Sequence, residues 1–180
     1  MKILLISNDR YFSYGMLNLL QSEGLECEDK KSNQHVLDNM MADYDLVIID
    51  IPSVREAQSL HLSNGVLNNI IFVVDIQSTY IDYNYTLISK RSTVGEFIQK
   101  TKHCMDYVAP RISSVDLKFL QFFNSGWDMF KISSHFNISY KSAYHLRYGL
   151  VTRFGFLRYH PLISIYCEEI SGLILHQKSD

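Results

Sequence analysis

The 180-residue chain predicts an α/β unit built on a doubly wound parallel sheet, followed by an all-α unit of four helices. Three observations carry this expectation. Short apolar runs alternate with helical patterns up to residue 108, strand signals stop after Pro110, and short helical stripes broken by Gly, Asn and Ser follow. Runs that are apolar on both faces and separated by helices fit a parallel sheet covered on two sides.

Lys2–Ile6 (KILLI) is the first continuous apolar run and ends in Ser7, Asn8 and Asp9. Tyr11–Glu23 then places Met16, Leu17, Leu19 and Leu20 at helical spacing and stops at Gly24. Asp45–Ile51 (DLVIIDI) and Asn69–Ile76 (NIIFVVDI) are two further strands, and Tyr85–Ser89 is a weaker fourth. Asn33–Met41 and Val54–Leu62 read as short helices between them, and Thr93–Tyr107 as a longer one. Ligands of such sheets sit at the carboxyl ends of the strands. Those ends carry Ser7-Asn8-Asp9, Asp50, Asp75 and Lys90.

In the second unit Ser113 stands three residues before Asp116, the spacing of a capping box. Leu117, Leu120 and Phe123 form the helical stripe that follows, ending at Gly126. Asp128 suits the cap of a helix over Trp127–His135, and Ser139 the cap of the next. Pro161–Leu173 is the last helix, with proline in the first turn, where its missing N–H costs nothing. Short helices on tight turns of this kind make a helix-turn-helix bundle. The units are expected at 1–108 and 113–180, joined by a short linker at 109–112.

Composition narrows the function classes. With 47% hydrophobic and 20% charged residues the chain is ordinary globular protein. No apolar run approaches the length of a membrane span, and the first run is too short for a signal-peptide core, so a soluble cytoplasmic protein with no membrane partner is expected. Cys27, Cys104 and Cys167 lie far apart without metal-ligand spacing, so no disulfide framework, metal or cofactor is expected. G-x-S-x-G, H-E-x-x-H and P-loop motifs are absent, and the chain is not expected to be an enzyme. Net charge is −2, but residues 1–111 sum to −4 and residues 112–180 to +2, and Met129–Cys167 holds five basic side chains and no acid. One-sided charge of this kind suits phosphate contact.

Residues 138–155 (ISYKSAYHLRYGLVTRFG) concentrate the question. On a helical wheel Ala143, Leu150 and Phe154 share one face, flanked by Leu146 and Arg147. Lys141, Tyr144, His145, Tyr148 and Thr152 share the other. Gly149 costs such a helix ~1 kcal/mol relative to Ala.

Ile112–Leu157 resembles the DNA-binding domain of LuxR/NarL (GerE-type) response regulators. The opening signature is Ile112-Ser113-Ser114-Val115-Asp116, the glycine before the second helix is Gly126, and the Glu-Ile-Ala block is Lys131-Ile132-Ser133. Ile138-Ser139-Tyr140-Lys141-Ser142-Ala143-Tyr144-His145-Leu146 aligns with the Ile-Ser-x-x-Thr-Val-x-x-His run, with Ser142, Ala143 and Leu146 in place of its Thr, Val and His, and Arg153-Phe154-Gly155 with the closing Lys-Leu-Gly. The resemblance implies that Tyr144, His145 and Tyr148 face the major groove. Tyr and His can contact base edges and thymine methyls, while Lys141, Arg147 and Arg153 suit phosphates. Leu162, Ile165, Tyr166, Ile170 and Leu173 of the last helix would form a dimer interface, pack on the bundle, or do both.

Residues 1–108 resemble a CheY-like receiver whose chemistry is eroded. Asp50 matches the phosphoacceptor and Lys90 the lysine after the fifth strand. The Mg²⁺-holding acid pair aligns with Ser7-Asn8, and a one-residue shift restores only Asp9. Val74-Asp75 replaces the hydroxyl residue, Arg91 replaces the proline, and the short span from Asp75 to Lys90 leaves little room for a fourth helix. A carboxylate at Asp75 would also repel a phosphoryl group, since like charges ~4 Å apart cost roughly 4 kcal/mol at an effective dielectric near 20. The resemblance therefore implies a pseudo-receiver, with Asn8, Asp9, Asp50, Asp75 and Lys90 as a degenerate phosphoacceptor pocket.

Together these readings imply a bacterial transcription regulator that binds promoter duplex independently of aspartyl phosphorylation. It would act as a homodimer, or as the auxiliary partner of another response regulator, and lie at the nucleoid when bound. The alternative is a protein-interaction anti-activator or coregulator that does not bind DNA by itself.

Overall fold

The computed structural model describes residues 1–31, 43–54, 69–103, 106 and 112–175. Five strands, β1 (Lys2–Ile6), β2 (Glu26–Lys30), β3 (Leu46–Asp50), β4 (Ile70–Val74) and β5 (Leu87–Ser89), form one sheet in the order β2-β1-β3-β4-β5. Every neighbouring pair is parallel. The helices are α1 (Arg10–Ser22), α2 (Ile51–Val54), α3 (Val94–Lys102), α4 (Ser114–Asn124), α5 (Met129–His135), α6 (Tyr140–Arg153) and α7 (Pro161–Leu175). The helix expected at Asn33–Met41, most of Val54–Leu62, Tyr107 and linker residues 109–111 lie outside the described residues. No described helix is long and apolar enough to cross a membrane.

β1, β3 and β4 read as unbroken apolar runs because they are buried on both sides. Ile3, Leu5, Ile48 and Val73 point to one face, where Met16 and Leu20 of α1 and Phe97 and Ile98 of α3 cover them. Leu4, Ile6, Val47, Ile49, Phe72 and Val74 point to the other. The sequence-based count of four strands requires correction, because β2 (ECEDK) adds a fifth. It is an edge strand paired to β1 alone, with Lys2 opposite Glu26, and only Cys27 of its five residues is buried. Charged residues are what an exposed edge selects, so an apolar pattern does not reveal it.

Helix starts are set by side-chain caps. Thr93 with Glu96 and Ser113 with Asp116 make complete capping boxes on α3 and α4. Asp9, Asp128 and Ser139 accept backbone N–H groups at the starts of α1, α5 and α6. Each such cap contributes ~1 kcal/mol. α6 runs unbroken through Gly149 and turns at Gly155, where φ is +90°.

The connection between β4 and β5 contains only a three-residue 3-10 turn, Ser78–Tyr80. The helical half packs against this region. Its interior, including Phe119, Ile132, Ala143, Leu150 and Ile170, belongs to the same buried cluster as Phe72 and Val74 of the sheet. The stripe expected on the last helix is rotated in the structure. Ile163, Tyr166, Cys167, Ile170 and Ile174 are buried, whereas Leu162 is 39% exposed and Ile165 and Leu173 are half-buried.

This register predicts that Ile170→Ala costs about 2–5 kcal/mol through a core cavity. Leu162→Ala should stay within about 0.5 kcal/mol of wild type. Urea denaturation of both variants checks the assignment of faces.

Candidate nucleic-acid interface

Two groups of residues are candidate sites. The first is the carboxyl end of the sheet. Asp50, the last residue of β3, is fully buried, and its Oδ2 accepts from Ser7 Oγ at 2.6 Å and lies 2.9 Å from Lys90 Nζ. Its Oδ1 has no hydrogen-bond partner among the described residues. Lys90 follows β5 directly, and its ammonium also lies 3.2 Å from Asp9 and 4.6 Å from the Phe12 ring centroid. The other oxygen of Asp9 accepts from the Tyr11 and Phe12 amides, both at 3.1 Å. The Phe12 amide, aided by Lys90 and opposed by burial, holds the Asp9 carboxyl below its ordinary range.

Of the five pocket residues expected from sequence, Asp9, Asp50 and Lys90 therefore meet. Asn8 binds Ser53 instead, its backbone N–H donating to the hydroxyl and its side-chain amide to the carbonyl. Asp75 pairs outside the cluster with Arg91 at 2.9 Å. Ser53 went unnoticed in the sequence although its hydroxyl reaches Ser7 and the Asn8 amide.

A resemblance to receivers would imply Mg²⁺ here, but these residues do not fit it. Magnesium demands near-octahedral oxygen ligation. One Asp9 oxygen is spent on the cap of α1, the other faces Lys90, and the Lys90 ammonium already bridges the two carboxylates. Among the described residues no cluster of three His, Cys, Asp or Glu side chains is placed to hold a metal.

The second group lies on α6. Ala143, Leu150 and Phe154 are buried in the bundle, while Lys141, Tyr144, His145 and Tyr148 are exposed. Arg147 is stacked among aromatic rings, with its guanidinium carbon 4.4 Å from the Tyr159 centroid, 4.8 Å from Tyr144 and 5.5 Å from Phe123. That sandwich fixes the arginine in place and stiffens Tyr144 beside it. Arg153 makes a bidentate pair with Asp116, at 2.8 and 3.1 Å, tying the end of α6 to the start of α4. A phosphate at Arg153 would have to share the guanidinium with Asp116. Burial pushes the Asp116 carboxyl up, but the hydrogen bonds from Arg153 and Ser113 outweigh it and leave the pKa below the ordinary value.

Two exposed aromatics were not picked out from the sequence. Tyr140, one turn before Tyr144, has its hydroxyl 3.2 Å from the Tyr144 hydroxyl, with ring centroids 4.9 Å apart. Their i,i+4 spacing was the available signal. Phe130 on α5 is 71% exposed, and nothing in its local pattern distinguishes it from a core residue.

No protein-family model and no curated protein sequence matches the chain. Among solved structures it is similar to RcsB from Salmonella enterica serovar Typhimurium bound to promoter rprA in the presence of phosphomimetic BeF3−. The identity is 13% over 94% of this chain and 99% of that one, with a TM-score of 0.47. For the same protein bound to promoter P1flhDC the values are 12%, 94%, 98% and 0.49. Full-length FixJ from B. japonicum is similar at 11% identity over 97% of this chain and 98% of that one, with a TM-score of 0.40.

Two predictions arise from these contacts. Lys90→Ala leaves the buried Asp50 carboxylate without its cation and should destabilise the fold by about 3–5 kcal/mol, measurable by urea titration. The Asp116–Arg153 pair has a pH signature. Its carboxyl is depressed from an unfolded value of about 3.9, so its contribution is complete above that pH and is lost as pH falls through the lower folded value. The stability gap between wild type and Arg153→Ala should hold steady from pH 7 to about pH 4 and shrink below it. Urea midpoints across that range test this.

Proposed function

We propose that the chain is a DNA-binding transcription regulator of the LuxR/NarL response-regulator type, with a receiver-like half (1–108), a short linker (109–112) and a helix-turn-helix half (113–180). The observation that carries this reading is the division of α6 into a buried apolar face and an exposed face of Lys141, Tyr144, His145 and Tyr148. A merely solvated helix face is normally covered with flexible charged residues. This one carries aromatic and imidazole groups that can donate hydrogen bonds to base edges and pack on thymine methyls. The stretch from Met129 to Cys167 that contains this face holds five basic residues and no acid, and Lys141, on the face itself, would contact phosphate. Arg147 contributes as a stacked, pre-oriented cation. With few phosphate contacts available the chain would bind as a homodimer, or beside another response regulator.

The receiver-like half works without aspartyl phosphorylation. Support comes from the full burial of Asp50 and from Asp9, the one other carboxylate beside it, being engaged by the α1 amides and by Lys90. A second reading, a protein-binding coregulator, is favoured by one observation. Phe130, Tyr140, Tyr144 and Tyr148 are all exposed, and exposed aromatic rings also suit contact with a protein partner.

Gel-shift titration on duplexes captured from genomic fragments by the purified protein separates the two readings. Tyr148→Ala should weaken binding by about 1–3 kcal/mol. Lys141→Ala should weaken it on every sequence and reduce the log–log salt slope by about 1. Captured fragments that neither variant distinguishes from wild type, or none captured at all, would favour the coregulator. Incubation with Mg²⁺ and acetyl phosphate should leave the intact mass unchanged; an added phosphoryl group on Asp50 would refute phosphorylation independence.

A further inference from the structure

A parallel sheet is stable only when both faces are covered, and the crossover between parallel strands usually brings the covering helix with it. The β4–β5 connection brings none, since residues 75–86 hold just the 3-10 turn Ser78–Tyr80. The sheet face beside it is nevertheless dry, with Phe72 at 1% exposure and Val74 and Leu87 at 0%. The buried cluster around these three residues takes in Phe156 and, from α7, Ile163, Tyr166 and Ile170. α7 also packs on α2, and the Tyr166 hydroxyl lies 3.4 Å from the Asp75 carbonyl just beyond β4.

The connection itself is stitched to the helical half by backbone. Leu157 N–H donates to the Tyr80 carbonyl and Asp82 N–H to the Gly155 carbonyl, both at 2.8 Å, flanking an antiparallel bridge between Ile81 and Phe156. Gly155 has φ of +90°, and a Cβ there would fall against Cβ and Cγ of Tyr85. The carbonyls of Tyr83 and Tyr85 accept in turn from the buried Lys100 ammonium on α3. A chain of contacts thus runs from α3 through Lys100 and Tyr85 to Gly155 at the end of α6.

We propose that α7 serves as the covering helix that the β4–β5 crossover lacks, and that the Tyr80–Asp82/Gly155–Leu157 pairing clasps the two halves into one cooperative unit. α6 is then carried at a fixed angle to the sheet and does not swing on a flexible joint. The inference stands on packing alone, whatever ligand α6 takes.

Trp127 is the one tryptophan of the chain, stacked on Phe122 at 4.4 Å inside the helical half, so its fluorescence reports that half. Leu20→Ala opens a cavity on the opposite face of the sheet, where Leu20 packs within the α1/α3 cluster. In full-length protein under urea, Leu20→Ala should lower the Trp127 midpoint as far as it lowers the far-UV circular dichroism midpoint, in one transition. A Trp127 midpoint left at the wild-type value would overturn the proposal. Should Leu20→Ala fail to fold, the milder Ile88→Val poses the same question with the same two outcomes. In a Gly155→Ala background the effect of the sheet variant on Trp127 should diminish; an undiminished shift there would remove the clasp from the account.

Discussion

Everything in this structure depends on one apolar contact, the burial of the helical bundle against the sheet face formed by Phe72, Val74 and Leu87. Burial of apolar surface is worth roughly 25 cal/mol per Å², and a parallel sheet has no stable alternative to covering both faces. The short β4–β5 connection withholds a helix, and α7 supplies one from elsewhere in the chain. That exchange decides the orientation of α6, because α6 is packed on α7 and ends in the Gly155 turn beside Tyr85.

The same constraint shapes the two ends of the molecule differently. At the carboxyl end of the sheet, Lys90 pairs with one oxygen of a buried aspartate and with a second aspartate that caps α1. On α6 the internal contacts do the opposite and leave a face open. Arg147 and Arg153 are engaged by aromatic rings and by Asp116, which makes the helix rigid, while Lys141, Tyr144, His145 and Tyr148 face solvent. The proposed regulator thus has a fixed receiver-like platform and a fixed reading surface.

Much of this was legible in the residues because local physics determines it. β1, β3 and β4 announce themselves as apolar on both faces, the caps at Ser113, Asp128 and Ser139 stand where the helices begin, and the wheel of α6 separates Ala143 and Leu150 from Tyr144 and Tyr148. What escaped was set by tertiary context. β2 is an edge strand whose charges hide it. The buried face of α7 is rotated because it meets a sheet as well as a bundle, and no helical period reveals a second partner. Asp116 and Arg153 are 37 residues apart, and the reason for glycine at 155 lies in the approach of Tyr85, which only the folded chain brings about.

The central claim is that the exposed face of α6 reads duplex sequence. Repeated selection of duplexes from a random pool by the full-length protein tests it without knowledge of any promoter. The account predicts convergence on a defined half-site, with convergence lost when Tyr144, His145 and Tyr148 are replaced together by alanine while the fold is retained. A pool that stays random through successive rounds, or one that converges equally well with the triple variant, would contradict it.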